Sequence, residues 1–175
     1  ILDRFQSAYR PGHSCETAVL RVLNDVLCSA DAGDLTLLVL LDLSAAFDVI
    51  NHELLLSRLQ NEAGVAGDAL RQWFVSYLTE RTQRVIVGGA TSEDRPLCCG
   101  VPQGSVLGPI LFTIYTNQLG AIIEDHGICR KQFADDTELY TRFHPDQPSA
   151  VAAVEAVQSC ALAVKMWMTA NRLKL

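Results

Sequence analysis

The sequence predicts an α+β domain, an antiparallel sheet with helices packed on one face. Three observations point to it. The elements run as strand, two helices, hairpin, helix, hairpin and long helix, so strands meet through turns and not through βαβ crossovers. The 175 residues are 49% hydrophobic, enough for one real core and too few for two comfortable ones. No internal repeat, low-complexity tract or linker interrupts the chain.

Each element has a local cause. CETAVLRVLNDVLCSA (15–30) spaces apolar residues helically, and Ser14 stands at the cap position. DAGD then breaks the helix. LTLLVLLDL (35–43) is a strand apolar enough to be covered on both faces. NHELLLSRLQNE (51–62) is a helix that Asn51 caps, and GDALRQWFVSYLTE (67–80) is a second one behind Gly64 and Gly67. In TQRVIVGGATSEDRPLCCG (82–100), RVIVG runs out, a turn falls near 89–94, and RPLCC returns. The Gly- and Pro-rich loop at 100–108 leads into a helix over 110–124. GICRKQFA and TELYTRF are short strands with Asp135 and Asp136 between them, and residues 150–173 form a long amphipathic helix.

Composition excludes several classes. The start, ILDRFQSAYR, has neither a signal peptide's apolar core nor a transit peptide's basic face. The longest apolar run, LTLLVLL, is far too short to span a bilayer, so no membrane partner is expected. Six scattered cysteines lack zinc-site spacing and read as buried, reduced thiols of an intracellular protein. A net charge of −6 and a pI near 5.1 argue against a basic nucleic-acid-binding surface. Beginning at Ile1 and stopping at NRLKL, the chain reads as a piece of a larger protein.

Three acids carry the chemistry. Asp42 ends an otherwise apolar strand, where a carboxylate is costly unless exposed, paired or metal-bound. As a lone residue it reads equally well as the start of a turn, with Ser44 and Asp48 as rival caps. Asp135 and Asp136, taken alone, are ordinary turn acids. Strand pairing, however, can bring a strand end beside a hairpin turn about ninety residues away. Converging carboxylates repel each other and suit Mg²⁺, which fills its shell with a few carboxylates, waters and phosphate oxygens. Two such ions support in-line nucleotidyl transfer. GVPQGSVLGP (100–109) is a helix-entry loop with Ser105 as cap, and its flat glycine surface beside Gln103 also suits a base pair or sugar. It lacks the phosphate P-loop pattern.

Taken in order, FQSAYRPGHSCETAVL, LLDLSAAFDVINHELLLSRL, GVPQGSVLGPILFTIYTNQL, QFADDTELY and WMTANRLKL resemble the successive motifs of reverse transcriptases, those of non-LTR (LINE-class) retrotransposons above all. The resemblance covers essentially the whole chain. It implies a polymerase palm with a partial fingers segment, and RNA-directed DNA synthesis from dNTPs on an RNA template and DNA primer during retrotransposition. It implies two Mg²⁺ ions, with Mn²⁺ as a substitute, and a nuclear or cytoplasmic location. Asp42 and Asp135 would be the principal metal ligands and Asp136 a looser one, with Leu43 offering its carbonyl. Ala45 and Ala46 would offer amides to the triphosphate. Phe47 would stand at the steric gate that selects dNTP over rNTP. Gln103 and Gly104 would line the nucleotide and template side.

The remaining residues read as structural or peripheral. Asp48 and His52 cap or brace the turn after Asp42; Tyr9, Arg10 and His13 read first as a solvated loop, contact with template or incoming nucleotide being the alternative; Trp73, Tyr77 and Trp167 fit core stripes. The upstream fingers, the lysine after NRLKL and the thumb expected of the family are not in the sequence, and Phe133 replaces the commoner tyrosine. Because fingers and thumb of the same polyprotein carry much of the basic grip on phosphates, an acidic palm is compatible with a polymerase and binds nucleic acid poorly alone. Two other readings compete: a catalytically inactive remnant that binds RNA or protein, and a nucleotide cyclase. The first has no chemical reason to keep all three acids, and the second would not need the Pro-Gln-Gly loop.

Overall fold

The computed structural model describes residues 3–175, apart from the side chain of Arg71. The chain divides into two compact units, residues 47–115 and residues 3–46 with 116–175.

The second unit is built on a three-stranded antiparallel sheet, β1 (Leu35–Leu41), β7 (Asp136–Phe143) and β6 (Cys129–Phe133), in the order β1-β7-β6. α1 (Cys15–Asp31) starts where Ser14 and Thr17 cap each other reciprocally, a device worth about 1 kcal/mol. α6 (Gln147–Ala170) starts at Asp146, whose carboxylate accepts from Ser149 N–H. Its buried residues, Ala153, Val157, Cys160, Val164 and Met168, recur every three or four positions, as a core helix requires. Among the described residues α6 alone is long and apolar enough to match a membrane span by length and composition, with mean hydropathy 1.3. The buried stripe accounts for only part of that apolarity, since Val151, Val154, Leu162 and Met166 are exposed.

The pleat decides which helix meets which face. Leu139 and its cross-strand partner Arg130 share one face, and Arg130 pairs with Glu124 of α5 (Leu119–Asp125) at 3.0 Å. Tyr140 points the opposite way and donates to Asp25 of α1 at 2.6 Å. Helices therefore reach both faces, not one as the element order suggested. Arg130 also meets Asp3 at 2.5 Å, and a methyl group on Gly120 would run into that pair. β1 is an edge strand, and Leu38 and Leu40 are 43% and 70% exposed, so it is not covered on both faces. An apolar run is compatible with an edge as well as with a buried strand, and periodicity alone does not separate them.

In the unit of residues 47–115, Asn51 caps α2 (His52–Asn61) by accepting from Leu54 N–H. The expected helix over 67–80 is instead a π-helical turn, Ala69–Phe74, leading into α3 (Val75–Leu78). The π-helical turn breaks the single helical stripe expected there, although Leu78 of α3 stays buried. Accordingly Trp73 is 52% exposed and stacks on Tyr77, with centroids 5.6 Å apart, where a core position was expected.

The hairpin has two short ladders, β2 (Thr82–Gln83) with β5 (Arg95–Pro96), and β3 (Ile86–Val87) with β4 (Ala90–Thr91). Its turn is Gly88–Gly89, both at positive φ, and not 89–94. The helix expected over 110–124 is two, α4 (Gly108–Thr116) and α5, parted at Asn117–Gln118. All six cysteines are free, and only Cys160 is buried, against the expectation for all of them.

Candidate active site

Register brings the first acid to the second. In the β1–β7 ladder Leu41 pairs with Thr137, so the next residues outward are Asp42 and Asp136. In the β6–β7 ladder Phe133 pairs with Asp136, which leaves Ala134 and Asp135 as a two-residue turn. The three carboxylates thus gather at one end of the sheet. Asp42 and Asp136 are exposed and Asp135 is half-buried.

Burial pushes the Asp136 carboxyl above the ordinary aspartate range, and the negative charges of Asp135 and Asp42 push it the same way. Among the described residues no hydrogen bond or ion pair engages any of the three side chains. Nor, among the described residues, is any group of three or more His, Cys, Asp or Glu placed so that it could hold a metal ion, the three acids included. The donor set fits a hard cation that takes only one or two protein carboxylates and fills its shell from water and substrate, as Mg²⁺ does.

Two strained turns carry these acids. Ala134, just before Asp135, has φ 58°, and Ala45, three residues after Asp42, has φ 53°. Each left-handed alanine costs on the order of 1 kcal/mol, a strain that persists only where surrounding contacts hold it. The turn after Asp42 is tied by Ser44 N–H to the Lys174 carbonyl at 2.9 Å, while Leu43 and Ala46 are buried. The turn at Ala134 is held by Gln6, a buried residue in the FQSAYR segment that sequence reasoning did not single out. Tyr9 of the same segment has its hydroxyl pKa raised by burial and then by the charge of Asp135. A pocket of ≈ 340 Å³ opens beside the acids, lined by Asp42, Asp136, Lys131, Glu138, Leu40 and Val19 among others.

The predicted residues do not all fall in one unit. Asp42, Leu43, Ala45, Ala46, Asp135 and Asp136 lie in the sheet unit; Phe47, Gln103 and Gly104 belong to the unit of residues 47–115. There the Phe47 ring packs on Phe112 at 5.0 Å, and the Phe47 carbonyl accepts from Val101 N–H at 2.9 Å. Gly100 N–H donates to the Ile50 carbonyl, and His52 Nε2 lies 2.7 Å from the Gly100 carbonyl, so His52 braces the start of the Pro-Gln-Gly loop, where the turn after Asp42 was expected. Ser105 Oγ accepts from Gly108 N–H and from the Tyr77 hydroxyl, which fixes the entry to α4. Gln103 and Gly104 are exposed at the loop crest, and Gln103 borders a groove of ≈ 640 Å³ with Asp48, His52, Tyr77 and Arg81.

The chain is similar to known proteins in sequence and in fold. The model of the family "Reverse transcriptase (RNA-dependent DNA polymerase)" matches residues 1–175. The chain is 29% identical over 171 residues to the RNA-directed DNA polymerase from mobile element jockey of Drosophila melanogaster, covering 95% of this chain and 18% of that protein. It is 34% identical over 119 residues to the probable RNA-directed DNA polymerase from transposon BS of the same organism, covering 68% and 13%. It spans less than a fifth of either relative. The fold is similar to that of apo telomerase from Candida tropicalis truncated from its C-terminal domain, with TM-score 0.59, 14% identity, and coverage of 98% of this chain and 35% of that one.

Proposed function

Because the chain belongs to the reverse transcriptase (RNA-dependent DNA polymerase) family, we propose that it is the palm, with part of the fingers, of an RNA-directed DNA polymerase from a non-LTR retrotransposon. Its substrates would be dNTPs, an RNA template and a DNA primer. The rest of the fingers and the thumb would lie elsewhere in the same polyprotein, which would act in the nucleus or cytoplasm. The observation that carries this reading is the register that sets Asp42 beside Asp136 at the end of β1 and β7.

Each residue has its own part in the reaction. Asp42 and Asp135 would hold a pair of Mg²⁺ ions, or Mn²⁺ in their place, with Asp136 in looser contact and the Leu43 carbonyl assisting. When bound, those ions supply charge neutralisation at the attacking hydroxyl and the leaving pyrophosphate. Burial is the main cause of the raised Asp136 pKa, and the smaller part that comes from the charges of Asp135 and Asp42 is what a bound cation would relieve. Ala45 and Ala46 amides would receive the triphosphate, Phe47 would exclude a 2′-hydroxyl, and Gln103 with Gly104 would support the nucleotide and template.

The test is primer extension on an RNA template with Mg²⁺, using the polyprotein that carries this segment and its Asp135→Asn variant. Extension should fall at least about 100-fold in the variant. Undiminished extension by Asp135→Asn refutes the assignment. Mn²⁺-induced thermal stabilisation of the 175-residue chain, lost in the same variant, gives a second readout without turnover.

A further inference from the structure

We propose that Gln6 is a positioning residue for the acid-bearing turn: its carboxamide holds Ala134 in the left-handed conformation and so fixes where the Asp135 carboxylate stands. This rests on the polymerase reading above.

A two-residue turn leaves its central residues without ladder partners for their backbone groups. At Ala134 the Gln6 side chain supplies both. Gln6 Oε1 accepts from Ala134 N–H at 3.0 Å, and Gln6 Nε2 donates to the Ala134 carbonyl at 3.1 Å. The first bond fixes the peptide unit entering Ala134, and the second fixes the unit leading into Asp135. Together they hold the φ of 58° that an alanine adopts at a cost.

The clamp is itself anchored. Gln6 is 4% exposed, and its Oε1 also accepts from Ala8 N–H at 2.9 Å. Its main chain runs beside β6, with Ser7 N–H donating to the Gln132 carbonyl at 2.9 Å and Gln132 N–H to the Phe5 carbonyl at 3.1 Å. The Asp3–Arg130 ion pair ties the start of the segment, and the Arg10 guanidinium donates to the Asp3 carbonyl. No other residue type does this job. Glutamate keeps the acceptor, loses the donor and brings charge towards Asp135; asparagine is one methylene short; alanine leaves both groups of residue 134 unpaired.

The experiment compares Gln6→Ala, Gln6→Glu, Ala134→Gly and the double variant Gln6→Ala/Ala134→Gly, with Asp135→Asn as reference. Single-nucleotide incorporation is measured in the polyprotein, and amide exchange at residue 134 in the 175-residue chain. Gln6→Ala should lower kcat about 10- to 100-fold while KM for dNTP changes less than about threefold. It should also speed exchange of the Ala134 amide.

Glycine occupies the left-handed region freely, so adding Ala134→Gly should restore about fivefold in rate. Gln6→Glu should demand more Mg²⁺ for half-maximal rate. An unchanged kcat in Gln6→Ala overturns the proposal. So does a loss that merely tracks the melting temperature and is not restored by Ala134→Gly. If Asp135→Asn extends primers normally, the polymerase reading fails, and exchange at residue 134 still decides whether Gln6 holds the turn.

Discussion

Asp136 stands in an environment that disfavours its charge, through burial first and through Asp135 and Asp42 second. Its folded pKa lies above the unfolded one, so the native state binds the proton more tightly. Stability from this group therefore falls as pH rises from the ordinary aspartate range through the raised value, and the penalty persists at neutral pH. Asp136→Asn removes it. We expect the variant to melt about 1–2 °C higher at pH 7, because a mostly exposed carboxylate contributes only a few tenths of a kcal/mol. The gain should vanish below the ordinary aspartate range, and a scan of melting temperature against pH checks both ends. A variant that melts lower at pH 7 would mean that Asp136 is paired. That Asp42 would meet the Asp135–Asp136 turn at one end of the sheet was legible in the sequence, because strand pairing can bring a strand end beside a distant hairpin turn. Gln6 was not legible: its partner lies 128 residues away, and nothing local marks a buried amide as a clamp.

The Pro-Gln-Gly loop shows what an element demands of its glycines. Gly100 has φ 87°, and a Cβ there would stand 2.9 Å from the Asp48 carbonyl oxygen, which is backbone and cannot swing away. Gly104 has φ 77° with open space where a Cβ would go. Gly104→Ala should cost only the left-handed penalty, about 1 kcal/mol, whereas Gly100→Ala should cost about 2–4 kcal/mol because a clash is added. Urea denaturation of the two variants separates them; equal losses would mean that the contact with Asp48 relaxes at no cost. Elements with local start signals were readable: Ser14, Asn51 and Ser105 cap where they were expected to. The π-helical turn at Ala69–Phe74 and the break at Asn117–Gln118 have no such signal in their sequences. The Gly88–Gly89 turn did have one, since a Gly-Gly pair between β-rich runs favours a two-residue connection.

At the scale of the whole chain, the motif order identified the family, and pairing of segments about ninety residues apart was foreseeable because the acids needed it. Which faces of the sheet the helices cover was not foreseeable, because that depends on the pleat parity of Arg130 and Tyr140 and not on composition. The net charge of −6 bears on what the chain does when separated from its surroundings. Nucleic-acid affinity comes mainly from Lys and Arg displacing counterions from phosphates. The chain has 14 such residues against 20 acids, and Arg130 is already committed to Asp3 and Glu124. We therefore expect the 175-residue chain to bind an RNA–DNA duplex more weakly than about 10⁻⁵ M at physiological salt, with a log–log salt slope of magnitude below about 3. Fluorescence anisotropy across a salt series measures both quantities. Tight binding with a steep slope would place the phosphate grip on this segment itself. Weak binding with a shallow slope, together with activity of the longer polyprotein, would place it in the segments that flank this one.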